Sequence, residues 1–172
     1  MWHRETGEGT DQGATLVEYA VVAPFLFLLL FGIVEFALLT ASFTGVWTSA
    51  REGARYATTV GDSTVTPGTP RYLDCDGIRV TARGLVSIGE PTNAEITVDY
   101  FDPLGAQIAD CDTADVTFPT PTESTIPSGS TVAVTITKEY QAIVPLLGQF
   151  IDGITFDSTQ SRSIHRGVVG GN

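Results

Sequence analysis

The chain has 172 residues, enough for one modest domain plus an anchor or tail and too few for two full domains. Its 20 acidic against 9 basic residues give a formal net charge of −11, which leaves no basic patch to offset phosphate charge and excludes nucleic acid as an expected partner. Apolar residues are concentrated between Leu16 and Ala41, whereas the chain from Phe43 onward is rich in Thr, Ser, Gly, Pro and Asp and holds most of the acidic excess.

A short polar head, Met1 to Gln12, sets His3 and Arg4 against Glu5, Glu8 and Asp11 and runs into Gly13. The run Ala20–Val34 then carries no charge; Leu16 and Val17 extend it on one side, and Phe36 to Leu39 beyond Glu35 on the other. About 20 apolar residues suit a membrane-spanning helix, so this segment is expected to be embedded to about residue 41. A cleaved secretory signal fits less well: the head is acidic, Glu35 interrupts the apolar core, and Thr40-Ala41-Ser42 only imitates a small-residue cleavage site. The helix is expected to continue past the membrane. Trp47, Ala50, Ala54 and Ala57 recur at three- and four-residue steps, Arg51 and Arg55 share another face, and Glu52 precedes Arg55 by one turn. Gly61, Asp62-Ser63 and Pro67 supply the stop. A helix over 14–59 would be about 68 Å long, with Pro24 as its expected kink, and its outer half must pack on something outside the lipid.

Two carboxylates stand out on this helix. A charge in lipid costs about 2.5–3.5 kcal/mol on insertion scales, so Glu18, at the lip of the apolar run, is read as functional. Glu35 falls on a different face. It reads as a carboxylate at the outer interface, with a contact to a second neighbour as the other possibility.

Beyond the helix, Gly61–Tyr72 reads as a loop. A short helix follows, capped by Asp74 or Asp76, with Ile78, Ala82, Leu85 and Val86 as its apolar stripe and Gly89-Glu90-Pro91 as its end. Ile96, Val98 and Tyr100 alternate with Thr97, Asp99 and Phe101 in a strand, which turns at Asp102-Pro103-Leu104-Gly105. Val116-Thr117-Phe118 is expected as a further short strand, and residues 119–129 as a Pro/Thr-rich loop. Val132, Val134 and Ile136 give the clearest strand, and a last one is expected to start at Ile154 and Phe156. The predicted class is α+β: a long amino-terminal transmembrane helix with its outer half against a small antiparallel sheet.

Cys75 and Cys111 both follow the apolar segment, on the side where disulfides persist if that segment crosses a membrane. A bond between them is expected. The echo Asp74-Cys75-Asp76 and Asp110-Cys111-Asp112 would then gather four carboxylates, a weak calcium candidate; caps and turns are the preferred account, and no metal or cofactor is expected. Neither HExxH, G-x-S-x-G nor a phosphate-cradling loop occurs, and His165 is the one histidine after the apolar segment, so no catalytic activity is expected.

The junction Gly13-Ala14-Thr15-Leu16-Val17-Glu18-Tyr19 resembles the class III signal of type IV pilins, in the Flp/Tad (tight-adherence) branch, and Ala50-Arg51-Glu52-Gly53-Ala54-Arg55-Tyr56-Ala57 resembles the block of TadE-like minor pilins or pseudopilins. Together these cover roughly the first 60 residues; Val132–Ile136 followed by Pro145-Leu146-Leu147 resembles the family's distal strand region. The resemblance implies a leader over 1–13, removed by a prepilin peptidase between Gly13 and Ala14, with the glycine as a flexible site before the helix begins. It also implies that Glu18, fifth in the mature chain and followed by Tyr19, meets the new terminal amine of a neighbouring subunit and sets the register between them. The implied partners are that peptidase, other pilins or pseudopilins, an inner-membrane assembly platform and membrane lipid; residues 60–172 would lie outside the cytosol, then on a pilus or cell surface, serving adhesion or secretion. A signal-anchored binding domain that never polymerises, and a domain secreted by cleavage near Ala41, remain the alternatives.

Overall fold

In the computed structural model, residues 9–84, 89–112, 117–151 and 153–165 are described. The expectations placed on His3 and Arg4, on Leu85 and Val86, and on Val116 fall outside those residues. A single helix, α1 (Gly9–Thr58), dominates the amino-terminal third. From Leu16 to Val34 its large apolar side chains are exposed, and then burial begins abruptly. Glu35, Ser42, Val46, Ser49, Ala50, Gly53, Ala54 and Ala57 are buried at helical spacing, forming one stripe that faces the rest of the chain. Val46 occupies the place expected for Trp47, which is 42% exposed and lies under the Arg51 guanidinium instead. The helix is continuous through Gly13, so the expected flexible entry before the helix is corrected: it begins at Gly9.

The stripe packs against α2 (Cys75–Arg83) and a four-stranded antiparallel sheet of β1 (Ile96–Phe101), β2 (Gln107–Asp110), β3 (Thr131–Glu139) and β4 (Thr155–Ser163) in the order β2-β1-β3-β4. Val98, Tyr100, Val132, Val134 and Ile136 project from the inner face into the core beside Ala50, Ala54, Ile78 and Ala82. The opposite face carries Thr97, Thr135 and Thr159 in one cross-strand row, with the Thr135 and Thr159 hydroxyls 2.8 Å apart. Alternation of apolar and hydroxyl residues therefore sets which face is buried.

The turn between β1 and β2 is the expected one. Asp102 Oδ1 accepts from the N–H groups of Leu104 and Ala106 at 2.9 and 2.8 Å, and Gly105 adopts φ 89°, open chiefly to glycine. Two strand assignments are corrected. Gln107–Asp110 supplies the partner of β1, whereas Thr117 and Phe118 belong to no strand. Pro145-Leu146-Leu147, read with the distal strand region, opens a short helix, α3 (Pro145–Ile151), with the proline at its first position, where a missing N–H costs nothing.

Cys75 and Cys111 are disulfide-bonded, tying the start of α2 to the end of β2 across a sequence separation of 36. Closing a loop of this length restricts the unfolded chain by about 3–4 kcal/mol in the chain-entropy model. Reduction, or the double substitution Cys75→Ser with Cys111→Ser, is expected to lower the denaturation midpoint accordingly, read by chemical unfolding with and without reductant.

Candidate assembly site

The segment that holds the sequence motifs has two ends with opposite character. At the carboxy-terminal end the small residues of the Arg51–Ala57 block have a packing reason. Ala50, Ala54 and Ala57 are buried, and a Cβ at Gly53 would lie 3.0 Å from Ala82 Cβ and 3.3 Å from Val134 Cγ1, so a larger residue there would have to push α2 and β3 back by a few tenths of an ångström. Arg51 and Arg55 point outward, and the Arg55–Glu52 pair, 3.4 Å apart and exposed, adds little stability. Tyr56 continues the block into a polar cluster: its hydroxyl donates toward Asp74 Oδ2 and Ser63 Oγ at 3.1 and 3.2 Å.

Asp74 is nearly inaccessible and takes further hydrogen bonds from Ser63 and Thr66. Burial opposes its ionisation, but the Ser63 hydroxyl, the Gly77 N–H and the Thr66 and Tyr56 hydroxyls outweigh it and hold the carboxyl below its ordinary range. Glu95 is also lowered: burial is outweighed by the Thr92 backbone and hydroxyl donors and by Lys138. For both groups the folded state binds protons less readily than the unfolded one. Their stabilisation is thus complete above the ordinary carboxylate range near pH ~4 and is lost as pH falls through the lower folded values. Thermal unfolding between neutral and acidic pH is expected to show that decline, and Asp74→Asn to flatten it. A Cβ at Gly77 would collide with the Asp74 carboxylate and sit 2.6 Å from the Tyr56 hydroxyl. Gly77→Ala is therefore expected to cost about 1–3 kcal/mol by overpacking, measured as a shift in denaturation midpoint.

The four aspartates around the disulfide do not converge. Asp74 is committed to Ser63, Thr66 and Tyr56, Asp110 Oδ1 accepts the Asp112 N–H, and Asp76 and Asp112 are exposed. Among the described residues no group of three or more His, Cys, Asp or Glu side chains is placed to hold a metal ion. His165 is exposed just beyond β4.

At the other end, Gly13, Glu18 and Tyr19 are exposed, Tyr19 at 69%. Nothing lies within 4 Å of a Cβ placed on Gly13, so packing within the described chain gives no reason for a glycine there. Among the described residues no hydrogen bond or ion pair reaches Glu18.

Glu35 is the reverse. It is 1% exposed and accepts three hydrogen bonds: from the Tyr140 hydroxyl at 2.6 Å, the Ile143 N–H at 3.0 Å and the Val144 N–H at 3.1 Å. The second possibility for Glu35, a contact for another neighbour, is overturned, because its partners lie more than 100 residues away in the same chain. Ile143 and Val144 immediately precede α3, whose first N–H groups lack helical partners and favour a negative charge. A signal was present in the sequence: an isolated carboxylate on an apolar helix, and a later Ile-Val-Pro that offers free N–H groups before a helix start.

The apolar stretch of α1 is long enough to cross a membrane and is almost wholly exposed, which is compatible with a single-pass anchor. Comparisons with curated proteins and with solved structures returned no match. Residues 13–55 match the family model described as TadE-like protein, a span that opens on Gly13, contains Glu18 and Glu35 and closes on Arg55; over these residues the chain is similar to that family.

Proposed function

We propose that this chain is a minor pilin or pseudopilin of a Tad-type assembly. It is stored in the inner membrane as a single-pass protein, with residues 60–172 outside the cytosol, and a prepilin peptidase cuts it between Gly13 and Ala14. The observation that carries this reading is the contrast between the two carboxylates of α1. Glu35 is satisfied within the chain, while Glu18 is exposed without a partner among the described residues, five residues after a glycine that no contact among them requires. Cleavage creates an amine at Ala14. In a bundle of apolar helices that amine and the Glu18 carboxylate of a neighbouring subunit neutralise each other, fixing the stagger between copies more than adding net stability. The peptidase bond lies inside the helix, so cleavage needs that turn to open, and Gly13 is the residue that makes opening least costly. Lipid, other pilins or pseudopilins and an inner-membrane platform are the partners; the outer sheet serves adhesion or secretion, and the chain is a substrate rather than an enzyme.

The test is the amino terminus of the chain recovered from membranes of a cell with a Tad system. Ala14 is the expected result. Met1 would indicate an anchored domain that is not processed, and a start near Phe43 a secreted one.

A further inference from the structure

We propose that the uncharged segment Gln141–Ile151 is a membrane contact, held by Glu35 at the outer surface of the bilayer that α1 crosses. This rests on the membrane-spanning reading of α1. The exposed apolar stretch Leu16–Val34 is about 28 Å long, close to the hydrocarbon thickness of about 30 Å. Glu35 follows at once and is the first fully buried residue of the stripe, so covering by the rest of the chain begins where lipid ends. What covers it is the backbone of Ile143 and Val144, hydrogen-bonded to the carboxylate, with α3 starting at the next residue.

The composition of this segment changes with its position. No charged residue occurs from Gln141 to Ile151, whereas Lys138 and Glu139 precede it and Asp152 and Asp157 follow it in the sequence. Ile143 is 63% exposed, and Phe36, next to Glu35 on α1, is 71% exposed. Exposed apolar groups at this level continue the lipid-facing surface of α1, and a short apolar segment lying in the interface plane buries them without crossing the membrane. On a chain of net charge −11, an uncharged rim is also the part that anionic headgroups repel least. Lipid is the occupant because the patch is continuous with the exposed apolar helix and sits one bilayer thickness along it. Glu35 is then a positioning residue. It takes the Ile143 and Val144 N–H groups just before α3 where water is scarce, and so sets the depth of the segment.

The experiment uses the full chain in phosphatidylcholine nanodiscs, with nitroxide labels introduced one at a time through Leu26→Cys, Ile143→Cys and Ser161→Cys. Collision with oxygen, which partitions into lipid, is compared with collision with a water-soluble nickel chelate. The label at 143 is expected to favour oxygen several-fold over the label at 161 and to lie shallower than that at 26. Adding Glu35→Ala is expected to lower the oxygen preference at 143 while leaving that at 26 unchanged. A label at 143 as accessible to the chelate as that at 161, with 26 in lipid, would overturn the membrane contact while leaving the spanning helix intact. Chelate access at 26 would overturn both. Spin–spin broadening at 143 that disappears on dilution with unlabelled chain would place a second copy there instead of lipid, and an unchanged signal in the Glu35→Ala background would remove Glu35 from the account.

Discussion

Glu35→Ala is expected to lower folding stability by about 3 kcal/mol, because it leaves the Tyr140 hydroxyl and the Ile143 and Val144 N–H groups without their acceptor. For a chain of this size that corresponds to a fall of roughly 6–12 °C in Tm, read by thermal unfolding in a mild detergent. The loss stays below the sum of three charge-assisted hydrogen bonds because residues 140–144 can relax toward water. Glu35→Gln restores size and one acceptor oxygen, but its NH2 group faces a backbone donor, so it recovers only part of the loss. Tyr140→Phe removes one donor and is expected to cost about 1–3 kcal/mol. In a Glu35→Ala background that cost should largely vanish, since groups in one network are not additive. An independent, additive effect of Tyr140→Phe would mean that the hydroxyl matters for its packing against Phe156 and not for Glu35.

The second large effect falls at the other end of the same helix and has the opposite signature. Glu18→Ala removes an exposed side chain that has no partner among the described residues, so folding stability is expected to move by no more than about 0.5 kcal/mol. Assembly is expected to suffer instead. If the carboxylate meets a terminal amine inside an apolar bundle, its removal leaves that amine buried and uncompensated, at a cost of about 3–5 kcal/mol per contact. That is roughly a hundredfold or more in association, measured as incorporation of the processed chain into sheared surface fibres against its level in the membrane. Wild-type incorporation of the variant would remove Glu18 from the register between subunits. Taken together, Glu35→Ala should damage the fold and Glu18→Ala only the assembly.

Most of the architecture was legible because its signals are local. The apolar run and the spacing of Ala50, Ala54 and Ala57 announce α1, the alternation around Val98 and Val134 announces β1 and β3, and Asp102–Gly105 announces its turn. The disulfide followed from where Cys75 and Cys111 stand relative to the apolar segment. What escaped was nonlocal or short. Gln107-Ile108-Ala109-Asp110 has only two apolar residues, and it becomes a strand because the turn at Asp102 delivers it to β1 in register. α3 is a single short helix whose start is stabilised by Glu35, so its propensity alone says little. The partners of Glu35 were not legible from its own segment. A carboxylate on a membrane-length helix suggests water or another subunit, and nothing within its own turn points to donors more than 100 residues along the chain. The Arg51–Ala57 block shows a different limit. Its pattern was recognisable, but the reason for Gly53, a close approach to Ala82 and Val134, exists only in the folded state.

The central claim is that Glu18 finds its partner between subunits after cleavage while Glu35 finds its partners within the chain. Zero-length carbodiimide coupling tests it most directly, because it joins a carboxylate to an amine only where the two already touch. Fibres containing this chain, digested after coupling, are expected to yield a peptide pair that joins Glu18 to the terminal amine of a neighbouring subunit, absent when Glu18→Ala is used. An uncut amino terminus, or coupling of the Ala14 amine to some other carboxylate with Glu18 left unmodified, would contradict the account.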